Sequence, residues 1–154
     1  MATETRGSDT GTPAPRKLAD ALPGDLELLR ELYARMVLIR RQEASREAND
    51  FDAFYVLDDE LHHALCDLSG HTIAWSLSQR AKGHLNRVRR LSLPEPGYLM
   101  EMISEHRAVV AAVAERDPDQ AEHALRHHLR MVLSTLPAIR AQHPDYFESE
   151  EESA

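Results

Sequence analysis

The sequence predicts an all-α protein: an antiparallel helical bundle of about five to six helices. Two kinds of observation carry this. Leu, Ala, Arg and Glu are abundant while Gly is scarce, with six in 154 residues. Apolar residues also recur at three- and four-residue spacing through several long segments, and helix-stop and helix-start residues separate those segments.

Composition bounds the rest. A chain of 154 residues makes one domain with a single core. A formal net charge of −8 argues against nucleic-acid binding by this polypeptide alone. The single cysteine, Cys66, allows no internal disulfide and suits a reducing cytoplasm, the expected location. No apolar run approaches the ~20 residues of a membrane span, and the N-terminus lacks the apolar core of a signal peptide.

Residues 1–16, MATETRGSDTGTPAPR, have almost nothing to bury and read as a disordered leader. The helical domain is expected over 17–147. Lys17 to Leu22 suits a short helical turn that Pro23-Gly24 breaks. Asp25 then opens a helix over roughly 25–48, with Leu28, Leu29, Leu32, Met36 and Ile39 on one face. The alternating charges of Arg40 to Glu47 read as a solvated face. Asn49-Asp50 ends that helix, and Asp50 or Asp52 caps the next, about 52–68, which stops at Ser69-Gly70. Its apolar face is Phe54, Leu57, Leu61, Leu65 and Leu68, and it carries Asp58 and His62 four residues apart on one side.

A third helix is expected over 71–92, burying Ile73, Ala74, Leu77, Ala81, Leu85, Val88 and Leu91. Its basic stretch, Lys82 to Arg90, is either a solvated cationic face or a source of one Arg turned inward to hold a carboxylate by a bidentate contact. Leu93-Pro94-Glu95-Pro96-Gly97 is a stiff turn. The fourth helix, about 97–115, sets His106 among Leu99, Met102, Ile103, Val109, Val110 and Val113. Asp117-Pro118-Asp119-Gln120 is a strong start signal, with a capping Asp, a Pro at the first helical position and Gln closing the box. The fifth helix, 118 to about 136, sets His128 among Ala121, Leu125, Val132 and Leu136; Pro137 is expected to break or kink it, with Ala138 to Gln142 open to continuing it for a turn. His143 to Phe147 reads as a packing tail, and 148–154 as a frayed acidic tail.

Three segments thus each carry a metal-capable group on the stripe that faces the core: Asp58 and His62, His106, and His128. Burying such groups unpaired costs a few kcal/mol each, and one shared metal ion would remove that cost. The spacing leaves a second reading open, in which each His is a hydrogen-bonded core residue. His123 and His127, also four apart, form a rival pair but fall off the Leu125/Val132 stripe. Glu60 and His63 make a single Glu-x-x-His pair, and a di-iron bundle needs two.

The run from about 51 to 147 resembles the FadR-type C-terminal (FCD) domain of GntR-superfamily transcription regulators. The resemblance rests on Asp58-Asp59-Glu60-Leu61-His62-His63-Ala64-Leu65 followed by Ser69-Gly70, with Leu61 where the family usually has Phe. It continues through the basic segment His84 to Pro94, Glu105-His106-Arg107-Ala108-Val109-Val110, Asp117 and Ala121 leading to His127-His128-Leu129, and the closing His143 to Phe147. It implies an antiparallel bundle that binds a small organic or sugar acid, acts as a homodimer and is not an enzyme. It also implies a divalent ion, zinc foremost with nickel or manganese as alternatives, held by Asp58, His62, His106 and His128. Arg87 is the position it suggests for gripping the effector.

Two departures stand out. Residues 1–16 do not resemble the winged helix-turn-helix that precedes such domains, and Lys17 to Met36 resembles the family's second bundle helix. The expectation is therefore an effector-binding module without direct DNA binding. Asn86 stands where this branch often has an acid. The rival from another class is a small metal-dependent hydrolase using the same His/Asp site, although no HExxH motif is present.

Overall fold

The computed structural model describes residues 23–69 and 72–147. Six helices run α1 Pro23–Glu47, α2 Phe51–Leu68, α3 Thr72–Ala81, α4 Gly83–Ser92, α5 Tyr98–Ala114 and α6 Pro118–Gln142, with a closing 3₁₀ turn Pro144–Tyr146. No strand occurs among the described residues. The expected leader, the turn at 17–22 and the tail at 148–154 lie outside them.

Local chemistry sets most boundaries. Asp50 caps α2, its carboxylate accepting from the Ala53 amide at 2.9 Å. Asp117 caps α6 in the same way, accepting from Gln120 N at 2.9 Å, with Pro118 in the first turn. Asn49 and Arg116 take left-handed φ values of 54° and 56° just past the ends of α1 and α5. The short links 48–50 and 115–117 turn the chain back, so α1/α2 and α5/α6 pack as hairpins. Packing runs α2–α1–α5–α6–α4–α3 and returns to α2, closing a ring. Inside it lie Ile39, Phe54, Leu61, Leu99, Met102, Ile103, Val110 and Met131. Full burial of a side chain of this size contributes about 1.5–3 kcal/mol, so this core is what positions the polar groups described below.

The structure corrects several expectations. The single helix expected over 71–92 is two, α3 and α4, separated at Lys82 with Gly83 following. The face expected to be buried is therefore divided. Val88 is buried, but Ile73, Leu77 and Leu85 are exposed, because α3 forms the thin side of the ring against α2 and α4. Met36 is also exposed. The back half of α1 is not a solvated face throughout: Gln42 and Ser45 are buried, continuing the stripe from Arg35 and Ile39 at helical spacing. Of the two outcomes open at Pro137, α6 takes the continuation, running on through Ala138 to Gln142. Ile139, fully buried beyond the proline, anchors the continuation and offsets the missing amide bond. In the tail, Tyr146 is exposed and Phe147 half-buried, so this segment packs less than its apolar residues suggest.

Candidate metal centre

α2, α5 and α6 bring four groups together. Asp58, His62, His106 and His128 each offer one ligand atom, and these atoms all lie within 4.8 Å of one another. Asp58 and His62 are one turn apart on α2, beneath Leu61 and Phe54 in the core. His106 sits on the most buried face of α5, between Met102, Ile103, Val109 and Val110. His128 occupies the equivalent stripe of α6 beside Ala124 and Met131. The three His residues on separate positions of the stripes are thus brought to one point, whereas His123 and His127 stay on the surface.

The atoms that meet are the imidazole Nε2 atoms. His62 Nε2 and His128 Nε2 lie 3.1 Å apart, and His106 Nε2 and His128 Nε2 3.2 Å apart. Asp58 Oδ1 lies 3.1 Å from His106 Nε2 and 3.6 Å from His62 Nε2. The outer nitrogens are already committed. His106 Nδ1–H donates to Gln42 Oε1 at 2.9 Å, and His128 Nδ1–H donates to Glu105 Oε2 at 2.9 Å. A neutral imidazole that donates from Nδ1 has a bare lone pair on Nε2. Two such lone pairs therefore face each other 3.2 Å apart. Asp58 Oδ1 is buried and forms no hydrogen bond among the described residues.

Protonation is a poor remedy. Burial pushes the His62 imidazole down to about 4 against the pull of Asp58, and burial lowers His128 as well. For Asp58, burial works against charge, but the neighbouring His62, His106 and Arg89 outweigh it and hold the carboxyl well below the usual carboxylate range. The centre thus brings together three imidazole nitrogens, of which His62 and His128 are held neutral by burial, and one carboxylate. That donor set fits a divalent cation: imidazole nitrogens and a carboxylate oxygen bind zinc at about 2.0–2.2 Å, which puts neighbouring ligand atoms about 3.4 Å apart. The outer hydrogen bonds to Gln42 and Glu105 are the kind that fix the ring and tautomer of a metal-bound His.

The pH dependence of the metal-free protein follows. His62 has a lower pKa folded than its ordinary 6.5, so between these values the unfolded chain binds more protons. Stability is present above about 6.5 and is lost as pH falls toward about 4. The melting temperature of chelator-treated protein should fall through this window, and a flat profile from pH 7 to 4.5 would contradict the buried neutral rings.

Arg87, the expected effector contact, is not brought to this centre. It is exposed and donates to the Tyr146 carbonyl at 3.3 Å. The inward residue is Arg89, two positions and about 200° further round α4. Its guanidinium pairs with Asp58 Oδ2, with Asp59 at 3.0 Å and with Asn86 Oδ1 at 2.9 Å, and lies over the Tyr55 ring. Asp58 thus keeps one oxygen on Arg89 and turns the other toward the imidazoles. Arg89 is the inward Arg that the basic stretch Lys82 to Arg90 offered as one option, while sequence reasoning missed Gln42 and Glu105 in these roles. Glu105 was legible only as the neighbour of His106, and Gln42 only by extending the α1 stripe one turn. A cavity of about 60 Å³ adjoins the cluster, lined by Asp58, His62, Arg89, Tyr98 and His128 among others. Burial pushes the Tyr98 phenol up to about 12, so it keeps its proton there.

Comparison with known proteins agrees with this architecture. The FCD domain family matches residues 16–131. An uncharacterised HTH-type transcriptional regulator in an unstable DNA locus of Streptomyces ambofaciens is 38% identical over 128 residues, 83% of this chain and 53% of its own. The HTH-type transcriptional repressor RspR of Escherichia coli K12 is 27% identical over 112 residues, 73% of this chain and 49% of its own. The HTH-type transcriptional repressor NanR of Citrobacter rodentium is 28% identical over 109 residues, 69% of this chain and 42% of its own. The chain spans about half the length of the curated relatives it matches. With the family match covering most of its length, the chain belongs to the FCD domain family.

Proposed function

We propose that this chain is the effector-binding domain of a GntR-type transcription regulator, holding one divalent ion and a small carboxylate beside it. The observation that carries this reading is the convergence of three imidazole Nε2 atoms and an Asp58 oxygen at one buried point. The relatives' names support regulation rather than turnover. Asp58, His62, His106 and His128 would hold the ion, zinc foremost. When bound, it supplies a hard centre of net charge about +1 that attracts an anionic oxygen. The protein's own residues do the rest. Arg89 orients Asp58, while Gln42 and Glu105 set the tautomers of His106 and His128. Tyr98 and Arg89 line the cavity where a carboxylate would sit.

The test is a thermal-shift comparison with lactate and acetate, with and without chelator. A ligand at ~100 times its dissociation constant stabilises by about 2.7 kcal/mol. The zinc-loaded protein should gain this and the chelator-treated protein should not. Equal stabilisation of both would remove the ion from the carboxylate site.

A further inference from the structure

The small cavity at the metal centre continues into a larger one. His62, Arg89, Leu129 and Val132 line both, and the outer cavity has a volume of about 410 Å³. That is within the ~300–1,000 Å³ typical of small-ligand pockets. Its composition is one-sided. Leu65, Trp75, Leu85, Leu125, Leu129 and Val132 form most of the wall. The polar groups that reach it are largely engaged already. The Ser78 hydroxyl donates to the Trp75 carbonyl at 2.8 Å, and the Ser69 hydroxyl donates to the Cys66 carbonyl at 2.7 Å. Lys82 is paired with Asp59 at 3.2 Å and lies over the Trp75 ring. Burial pushes the Cys66 thiol up, so it stays protonated and weakly polar. The two cavities join at His62, one of the four groups that would hold the ion, and at Arg89, which pairs with Asp58, Asp59 and Asn86, so an anionic group is drawn to this end by the ion.

Resting on the carboxylate-binding reading above, we infer that the effector is a monocarboxylate with an apolar body, an aryl-alkanoic or medium-chain acid, rather than a polyhydroxylated sugar acid. Its carboxylate lies at the His62/Arg89 end and its hydrocarbon against Trp75, Leu85 and Leu129. A sugar acid would bring a hydroxyl on almost every carbon into a wall of Leu, Val and Trp, where each would lose its water without gaining a partner. A hydrocarbon chain gains from the same wall by leaving water.

The experiment is calorimetric titration of the full zinc-loaded chain with octanoate, 3-phenylpropionate, acetate and gluconate, with bound zinc measured in every sample. Octanoate and 3-phenylpropionate should bind at least tenfold more tightly than acetate or gluconate. Leu85→Gln and Leu129→Gln, both at solvent-exposed positions, should cut octanoate affinity at least tenfold without loss of zinc. Gluconate binding as tightly as octanoate would overturn the inference while leaving a metal-dependent carboxylate site intact. Failure of all four acids to bind would overturn both. If Leu85→Gln leaves octanoate affinity unchanged but abolishes self-association, the cavity wall is an interface between copies and the inference is overturned.

Discussion

Stripping zinc with a chelator should lower the melting temperature by about 10 °C or more. In the metal-free state three imidazole Nε2 atoms crowd within 3.1–3.2 Å contacts beside a buried carboxylate oxygen that forms no hydrogen bond among the described residues. An ion that binds only the folded chain, present at ~1,000 times its dissociation constant, stabilises it by about 4.1 kcal/mol. For a domain of 150–250 residues each kcal/mol moves the midpoint by about 2–4 °C. The same treatment of His106→Ala should shift the midpoint far less, because one of the converging donors and its Gln42 contact are gone. Differential scanning calorimetry of both proteins, with zinc added back, measures the difference. A wild-type midpoint that chelation leaves unchanged would show that the cluster is satisfied by protons and hydrogen bonds alone.

Replacing Arg89 with Ala should cost about 3–5 kcal/mol in the metal-free protein, the range seen when one partner of a buried ion pair is removed. Asp58 is 2% exposed, and its Oδ2 would lose its pairing. Desolvation would then act on that carboxylate with less opposing charge, so its pKa rises and stability at neutral pH is lost. Asp59 and Asn86 lose a shared donor as well. Zinc should recover at least half of this loss, because a divalent ion also compensates Asp58. Arg89→Lys, which keeps the charge but not the fork, should fall between. By contrast, Arg87→Ala, on the exposed side of the same helix, should change stability by less than about 0.5 kcal/mol. Urea denaturation of the three variants with and without zinc separates these outcomes. Equal losses for Arg87 and Arg89 would contradict the placement of α4.

The four clustered groups were legible because each lies on an apolar stripe of a long helix, and a period of 3.6 fixes which way such a stripe faces. What periodicity does not carry is phase across a break. The interruption at Lys82 separates α4 from α3, and Leu85 lines a cavity instead of the core. Arg87 came from the resemblance alone, whereas Arg89, four residues after Leu85, lies on the same side of α4 as that residue. Gln42 was read as part of a charged surface because a polar residue in a charged run gives no local sign of burial. Its 0% exposure comes from α5, which packs on α1 and brings His106 to it. At Pro137 the sequence left both a break and one further turn open. The proline's local cost is real, but Ile139 beyond it is held by tertiary packing that no local rule sees. The family resemblance, resting on ordered short motifs across three helices, was the strongest sequence signal and carried the fold.

The most direct test of the metal reading is elemental analysis of the untagged protein after exhaustive dialysis in zinc, alongside the His106→Ala/His128→Ala double variant. Asp58, His62, His106 and His128 are the only such cluster among the described residues. The account predicts one zinc per wild-type chain and less than about a tenth of that in the double variant, where two of three nitrogen donors are gone. A double variant that keeps a full equivalent of zinc would contradict it.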